Sequence, residues 1–396
     1  MIESLAGVHE GYYLYTNLVG NESGKLIFDG EIMFGSDGVV LSSSAMLSMR
    51  DVEVAVFDLE ESEPSFEKAA ERNDFEEFTT AAGLGLLDYL RKSGSKGFAL
   101  SLSGGADSAA CAVLVAEMLK RAELKLGKTE LERKLGFKLK GNTAKEWLGQ
   151  ILVCVYQSTA NSGDVTFKAA SDLATDLGAE FHHWKVDHLV DAYTKLTEQS
   201  IGRPLSWGTD DLVLQNIQAR TRAPGIWMLA NTRNFLLLTT SNRSEGDVGY
   251  CTMDGDTAGS LAPIAGVTKH FIRQWLVWAR DHLQYPVLEQ IIAQQPTAEL
   301  RPSEQKQTDE ADLMPYDLLE QIEVCWIGNR MSREETIARL KETRTEEGDY
   351  LESQVDRFII LWKRNQWKRE RLAPSFHLDR FNIDPKSTGR FPILSK

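Results

Sequence analysis

A turn rich in serine and glycine follows an apolar run near residue 100 and leads into a stretch rich in alanine, leucine and valine. The apolar run, residues 97–102, reads GFALSL. The turn consists of Ser103, Gly104, Gly105, Ala106, Asp107 and Ser108. When a strand passes through such a turn into a helix, backbone N–H groups and the helix N-terminus together form an anion site. The glycines let phosphate oxygens approach the backbone, the two serines offer hydroxyl hydrogen bonds, and the aspartate indicates a Mg²⁺ bridge.

Apolar runs and helical patterns alternate around and beyond this turn. The runs that predict strands lie at 97–102, 151–156, 180–186 and 235–240. A long helical pattern begins near Asp210, and the chain is mostly helical in pattern after about residue 267. Strands that alternate with helices predict an α/β fold, in which a parallel sheet carries helices on both faces. The charged segment 121–145 is predicted to be a solvated helical insertion, and 298–313 a mobile loop.

The first 60 residues differ from the rest because their pattern is β-rich. Apolar and aromatic runs at 12–19, 25–34, 39–43 and 52–59 are separated by turn residues. An acidic stretch then opens a helical pattern that extends to about Lys92. The sequence therefore predicts a short β-rich segment, residues 1–60, before a larger domain, residues 61–396.

Charge and cysteine usage restrict the function classes. The net charge of −14 argues against non-specific nucleic-acid binding, which depends on Lys and Arg. The 4 cysteines form no CxxC pair, so neither a zinc site nor a disulfide framework is predicted. The sequence has no apolar run of about 18 residues and no secretory signal at its start. These observations predict a cytoplasmic protein without a membrane-spanning segment.

The turn at 103–108 has the form SGGxDS. It is neither GxxxxGK[ST], because no lysine follows the glycines, nor GxGxxG. It resembles the pyrophosphate-binding loop of the N-type ATP pyrophosphatases, which share an adenine nucleotide alpha hydrolase-like fold. The resemblance implies that ATP is cleaved between its α and β phosphates to activate a substrate as an adenylate.

A denser resemblance lies at 215–269, which begins QNIQARTR and continues FLLLTTSNRSEGDVGYCTMDGDTAGSLAPIAGVTK. In order, these residues resemble the NxxAR helix, the [ST]xNxSE turn, the GYxTxxGDxxGxxxPI segment and the Thr-Lys pair of NAD synthetases. The resemblance covers residues 67–396. It implies an enzyme that adenylates the nicotinate carboxyl of deamido-NAD with ATP and amidates it with ammonia, and that forms a homodimer through this domain.

The resemblance also assigns roles to individual residues. It implies that Asp107 and Glu245 hold Mg²⁺, and that Asp256 and Lys269 are catalytic. Contacts with ATP are implied for the 103–108 loop, Thr240, Lys269 and Thr297. Contacts with deamido-NAD are implied for Arg220, Asp256 and Lys368.

Some segments extend or depart from the family pattern. Residues 156–166 follow the second predicted strand and are expected near the adenosine. Asp309 and Glu310 end a segment that resembles the family's lid. Met253 stands where ammonia-dependent members carry lysine. Glutamine-dependent members usually have an apolar residue there, so this chain resembles them at this position. Pro224-Gly225 predicts a kink after Arg220.

Residues 1–60 resemble the C-terminal strands of a nitrilase-type glutaminase domain, whose chemistry needs a Glu–Lys–Cys triad. Because no cysteine precedes Cys111, we expect this chain not to hydrolyse glutamine alone. Three explanations stay open: an incomplete copy of a longer enzyme, use of free ammonia, or a separate glutaminase subunit. We expect the segment to be marginally ordered, or to dock on the synthetase domain or on another subunit.

Two alternative functions remain at this point. In the first alternative, the chain is another ATP pyrophosphatase, such as a GMP synthetase or a tRNA-modifying ligase. In the second, it is a non-catalytic nucleotide-binding relic. The acidic charge disfavours tRNA and the 215–269 block disfavours GMP synthetase. The presence of Asp107, Glu245 and Lys269 disfavours the relic.

Overall fold

The computed structural model describes most of the chain. The described residues are 11–22, 25–36, 39–56, 73–295, 300–301, 308–378, 381, 383–385 and 391–393. The strands are β1 (Tyr12–Thr16), β2 (Val19–Glu22), β3 (Leu26–Asp29), β4 (Ile32–Ser36), β5 (Val39–Ser43), β6 (Gly97–Ser101), β7 (Leu152–Ser158), β8 (Glu180–Lys185) and β9 (Phe235–Leu238).

The helices fall into two groups along the chain. Those of the α/β part are α1 (Asp74–Ser93), α2 (Ala106–Leu135), α3 (Ala144–Ile151), α4 (Asp164–Leu177), α5 (Asp187–Ile201), α6 (Trp207–Arg233), α7 (Arg243–Val248) and α8 (Lys269–His282). Those that follow are α9 (Glu289–Ile292), α10 (Asp309–Asp312), α11 (Tyr316–Glu323), α12 (Arg333–Thr343), α13 (Gly348–Arg364) and α14 (Gln366–Arg369). A 3₁₀ turn (Pro286–Leu288) precedes α9, and a π turn (Val324–Gly328) follows α11.

The four strands β6 to β9 form one parallel sheet in the order β8-β7-β6-β9. Alternate residues of each strand point to opposite faces. On one face, Ala99 and Val153 pack in a core with Ile226 and Ala230 of α6. On the other face, Phe98 and its neighbours join the larger core formed with α1, α2, α3, α4 and α8. The predicted α/β architecture with helices on both faces is therefore confirmed, with strand ends shifted by one or two residues.

Two expectations about helices are wrong. The segment 121–145 is helical only in part, and it is not simply solvated, because Leu131 and Leu139 are buried in the main core. Helix α6 runs without interruption through Pro224, and its one residue with non-helical dihedrals is Asp210. A proline removes a hydrogen bond from a helix, but its fixed φ angle is itself helical, so packing against the sheet keeps the helix continuous.

The N-terminal residues form five short strands instead of the four runs that the sequence predicts. Strands β1, β4 and β5 make an antiparallel sheet, and β2 pairs with β3 as a separate hairpin. The predicted run 25–34 is divided at Gly30, whose φ of +69° ends β3. Residues 52–56 form no strand, and residues 57–59 of that predicted run lie outside the described residues.

The β2–β3 hairpin docks on α1. The backbone N–H of Asn21 donates to Asp88 Oδ2 over 2.7 Å, and Lys92 Nζ lies 2.5 Å from Glu22 Oε1. Gly85 of α1 leaves room for Ile27, because a Cβ at this position would come within 2.9 Å of the Ile27 side chain. Specific contacts therefore fix the hairpin to the larger domain.

Helices α11 to α13 form a second apolar core around Leu318, Leu351 and Phe358. This core packs against α7, through which it meets the carboxyl edge of the parallel sheet. Among the described residues, no helix combines the length and apolarity needed to cross a membrane.

Candidate active site

A cavity of about 640 Å³ opens at the carboxyl ends of the parallel strands. Open α/β sheets bind their ligands at this edge. The walls come from the 103–108 loop, from the segments after β7 and β9, from α6 and α8, and from α10. Residues from distant parts of the sequence therefore meet at one site.

The 103–108 loop lies on the cavity wall and is held by its own serines. Ser108 Oγ donates to the carbonyl of Gly105 (3.1 Å) and accepts from the Ser103 N–H (3.2 Å). Gly104 has a φ of +83°, and a Cβ there would lie 2.1 Å from the carbonyl oxygen of Thr166. Only glycine fits this close approach of the loop to α4. The other five residues of the loop line the cavity, and their contacts with ATP stay a prediction.

Lys269, the first residue of α8, extends into the same wall. Its ammonium contacts Asp107 Oδ2 and lies 3.5 Å from Glu245 Oε1, although only 4% of the residue is exposed. Burial alone would lower the pKa of Lys269, but the carboxylates of Asp107, Glu245 and Asp309 outweigh it and raise that pKa. Lys269 is therefore a fixed cation at the 103–108 loop.

Glu245 depends on a capping residue for its position. Asn242 caps α7 by accepting from the Glu245 N–H over 3.0 Å, and its side-chain amide donates to Asp107 Oδ1 over 3.3 Å. Burial and then the charge of Asp107 raise the pKa of Glu245 well above its usual range. One asparagine thus ties both predicted metal ligands together, which the sequence pattern does not indicate.

Asp309 approaches the cluster from α10. Its Oδ2 accepts from the Tyr316 hydroxyl over 3.3 Å, and the residue is 5% exposed. Burial raises the pKa of its carboxyl. Lys269 Nζ lies 5.7 Å from the centre of the Tyr316 ring, so Tyr316 is close to both Asp309 and the ammonium.

The acidic groups suit a hard cation that shares its ligands with a phosphate. Within the described part of the chain, no group of three or more His, Cys, Asp or Glu side chains has the arrangement of a complete metal site. Mg²⁺ is usually held by one or two carboxylates together with substrate phosphates. Asp309 Oδ1 is buried without a hydrogen-bond partner, so this oxygen is available to bind a ligand in the cavity.

Asp256 lies in a loop that basic side chains hold from outside. Lys368 Nζ donates to the carbonyls of Gly249 (2.7 Å) and Cys251 (2.8 Å). Within the loop, the Thr252 N–H donates to Asp256 Oδ1 over 2.7 Å. Asp256 lines the cavity, and desolvation by the surrounding protein raises the pKa of its carboxyl to about 6.

The two basic residues that the resemblance assigns to deamido-NAD do not line this cavity. Arg220 is exposed and donates its Nε to the carbonyl of Met253 over 3.0 Å, and Lys368 contacts the loop carbonyls described above. Arg222, two residues further along α6, faces the cavity instead and donates its Nε to the carbonyl of Gln157 over 3.2 Å. The motif alone does not reveal which arginine faces inward, because this depends on the rotation of the helix against the sheet.

The segment expected near the adenosine does line the cavity. Tyr156, Gln157, Ser162 and Thr166 face it, and the Tyr156 hydroxyl lies 2.9 Å from Thr166 Oγ1. Thr240 also lines the cavity, and its contact with ATP stays a prediction. Thr297 lies outside the described residues.

The arrangement agrees with comparisons to known proteins. Residues 79–371 match the family model described as NAD synthase. The chain belongs to the NAD synthase family. The resemblance found at 215–269 is therefore confirmed.

Relatives are similar over almost the whole of this chain. A crystal structure of a glutamine-dependent NAD(+) synthetase from Cytophaga hutchinsonii is 44% identical, with a TM-score of 0.87, and the match covers 100% of this chain and 65% of that one. The glutamine-dependent NAD(+) synthetase of Arabidopsis thaliana is 29% identical over 442 residues, which is 94% of this chain and 61% of that protein. This chain thus spans a little under two thirds of the length of these two relatives.

A third similarity concerns the fold alone. The glutamine-dependent NAD+ synthetase from Acinetobacter baumannii, solved in complex with adenosine diphosphate, is 22% identical with a TM-score of 0.60. The match covers 94% of this chain and 60% of that one.

Several residues that line the cavity have no role assigned from the sequence. Tyr250, His270, Arg273 and Tyr316 all line the cavity. Tyr250 belongs to the GYxTxxGDxxGxxxPI segment and His270 directly follows Lys269, so their positions in the sequence give a signal although no role was assigned to them. Tyr316 follows the lid segment, and only the packing of α11 brings it to Lys269.

Proposed function

We propose that this chain converts deamido-NAD, ATP and ammonia into NAD, AMP and pyrophosphate. Membership of the NAD synthase family supports this reaction. The single observation that carries the proposal is the contact of Lys269 with Asp107 at the phosphate loop. That contact provides a fixed positive charge where a pyrophosphate group would leave.

The first step is adenylation. An oxygen of the nicotinate carboxylate attacks the α-phosphorus of ATP, and the bond from that phosphorus to the β-phosphate oxygen breaks. Pyrophosphate departs with the electron pair. The 103–108 loop binds the phosphates, and Lys269 neutralises charge on the leaving group, so positioning and electrostatics provide the catalysis.

The second step is amide formation. The nitrogen of ammonia attacks the acyl carbon of the adenylate, the carbon–oxygen bond to AMP breaks, and one proton leaves the nitrogen. Asp256 lines the cavity and has a pKa of about 6, so near neutral pH its carboxylate can accept that proton. No covalent bond to the protein is needed in either step.

Asp107 and Glu245 would hold Mg²⁺ together with the phosphates. Both carboxylates lie beside Lys269 at the loop. When bound, the ion neutralises negative charge on the phosphates. The protein groups described above position the reacting atoms.

We also propose that the chain forms a homodimer through α5 and α6. Helix α5 has no buried residue, yet its apolar residues Leu189, Tyr193 and Leu196 recur at helical spacing and are 40–60% exposed. Leu212 and Met228 of α6 are more than 60% exposed. An apolar helical stripe of this kind normally packs against another surface, and a second copy of the same face is the occupant that the family resemblance implies.

The test of the proposed reaction is the production of NAD and AMP from deamido-NAD, ATP and Mg²⁺. Ammonium and glutamine are supplied in separate reactions, because the two relatives described above are named glutamine-dependent enzymes. We expect NAD and AMP in equal amounts with ammonium. Asp107→Asn, which keeps the shape of the side chain, is expected to abolish both products. AMP release without NAD, or no product with either nitrogen source, would contradict the proposal.

A further inference from the structure

The carboxyl of Asp309 has a feature that the proposed reaction does not use. Residue Asp309 is 95% buried by area, since only 5% is exposed, and it lines the cavity. One oxygen accepts from Tyr316, while Oδ1 has no hydrogen-bond partner. Leaving a buried carboxylate oxygen without a partner costs free energy, so such a group is expected where a ligand completes it.

The charges around Lys269 indicate which kind of ligand this is. Asp107, Glu245 and Asp309 all act electrostatically on the Lys269 ammonium. When ionised, the three carboxylates exceed the single ammonium by two negative charges. A triphosphate adds further negative charge at the same place, and a bound divalent cation would balance part of it at close range.

We propose that Asp309 supplies a further carboxylate ligand to the divalent cation that enters this cavity with the ATP phosphates. This inference rests on the proposed function, because it presupposes that ATP binds at the 103–108 loop. Asp309 would contribute from the first residue of α10. Among the described residues, Asp107, Glu245 and Asp309 do not by themselves form a metal site, so the phosphates would have to provide the other ligands of the cation.

The role also links the cation to the segment around α10. On the same short helix, Asp312 does not face the cluster, because its carboxylate lies 3.1 Å from Arg301 Nη1 and accepts from the Tyr250 hydroxyl over 3.0 Å. The two aspartates thus carry the same charge and lie on the same helix, but their carboxylates contact different side chains. Asp312→Asn is therefore a matched control for Asp309→Asn.

The experiment measures nucleotide affinity with and without metal. The probe is α,β-methylene-ATP, which cannot be cleaved between the α and β phosphates, titrated calorimetrically into the full chain in Mn²⁺ or in EDTA. For the wild-type protein we expect Mn²⁺ to strengthen binding. For Asp309→Asn we expect the strengthening to fall about tenfold, which is the loss of roughly 1.4 kcal/mol, while binding in EDTA becomes equal or tighter because a repelling carboxylate is gone.

The different effects of Asp309→Asn on nucleotide affinity in Mn²⁺ and in EDTA distinguish a metal ligand from a structural residue. A structural role predicts that Asp309→Asn weakens binding equally in Mn²⁺ and in EDTA, and that result would overturn the inference. Asp312→Asn should change the Mn²⁺ effect by less than twofold. A loss of the same size in Asp312→Asn would show that helix charge alone is responsible and would also overturn the inference.

Asp107→Asn separates this inference from the proposed function. If Asp107→Asn loses the Mn²⁺ effect and Asp309→Asn keeps it, the cation site is correct and Asp309 is not a ligand. If the wild-type protein binds the nucleotide under neither condition, the proposed function itself fails.

Discussion

The ammonium of Lys269 lies against the carboxylate of Asp107, which is 162 positions earlier in the chain. Lys269 begins α8, and Asp107 lies in the first turn of α2. The same ammonium is 3.5 Å from Glu245 Oε1. Three separate helices thus place one cation and two carboxylates beside the phosphate loop, and this cluster supports the first prediction.

Lys269→Ala should lower turnover by about two to three orders of magnitude, because it removes the cation that stabilises the departing pyrophosphate. We expect the fold to be retained. Steady-state AMP release and circular dichroism measure the two effects. Lys269→Arg keeps the charge and should recover part of the activity. Near-normal turnover in Lys269→Ala would remove this residue from the mechanism.

The rate of amide formation should fall as the pH decreases through about 6. The pKa of Asp256 is raised to about 6, and only the ionised carboxylate accepts a proton. The measurement is kcat/KM against pH with unprotonated ammonia held constant. Asp256→Asn keeps an oxygen for the Thr252 N–H but should show a low rate without this acidic limb. An unchanged limb in the variant would assign it to another group.

The same pKa predicts the sign of a stability effect. Because the pKa is raised in the folded state, the folded protein binds more protons than the unfolded chain between about pH 4 and 6. Ionisation of Asp256 therefore opposes folding above about pH 6. Asp256→Asn should be more stable than the wild type at pH 7, and the difference should shrink as the pH falls, as followed by thermal unfolding.

Gly104→Ala should destabilise the protein by about 2 kcal/mol or more, because its backbone is left-handed and a Cβ would meet the Thr166 carbonyl at 2.1 Å. Nucleotide affinity should fall with it. Urea denaturation and calorimetry measure these effects. Gly105→Ala is the control for stability, since the nearest atom to its Cβ is Ser103 Oγ at 3.5 Å. Equal stability of the two variants would contradict this account of the loop.

A buried ion pair joins the active-site helix α7 to α11. Arg243 is 3% exposed and Glu323 is fully buried, and their side chains are in direct contact. Glu323→Gln removes a negative charge that contacts a buried guanidinium, so the free energy of unfolding should fall by about 3–5 kcal/mol. Urea denaturation tests this, with the exposed Glu334→Gln of α12 as a control that should change little. A loss below 1 kcal/mol would show that the pair is dispensable.

Leu196→Asp should convert the proposed homodimer to a monomer, because it places a charge on the exposed apolar stripe of α5. Light scattering coupled to size-exclusion chromatography reports the mass. Ile360→Asp of α13 is the matched control, since Ile360 is 61% exposed but lies on another helix. A dimer that persists in Leu196→Asp would place the interface elsewhere.

The architecture was predictable because a parallel sheet buries both faces of its strands. Continuous apolar runs such as GFALSL identify these strands, and helical patterns separate them. The N-terminal strands were less predictable, since the break at Gly30 depends on a left-handed turn inside one apolar run. The continuity of α6 through Pro224 was not predictable either, because packing against the sheet overrides the local signal.

The residues of the candidate site also fall into two groups, those identified from the sequence and those identified only in the structure. The sequence by itself was enough to identify the 103–108 loop, Asp107, Glu245 and Lys269 as candidate site residues. Each lies in a short contiguous motif, and such motifs can be recognised by their residue types and their order along the chain. Only the tertiary structure decided that Arg222 faces the cavity while Arg220 does not, that Lys368 contacts loop carbonyls, and that Asp309 has a buried oxygen without a partner. The physical reason is that these properties depend on the rotation of helices and on contacts between residues far apart in the chain, which no local pattern of residue types encodes.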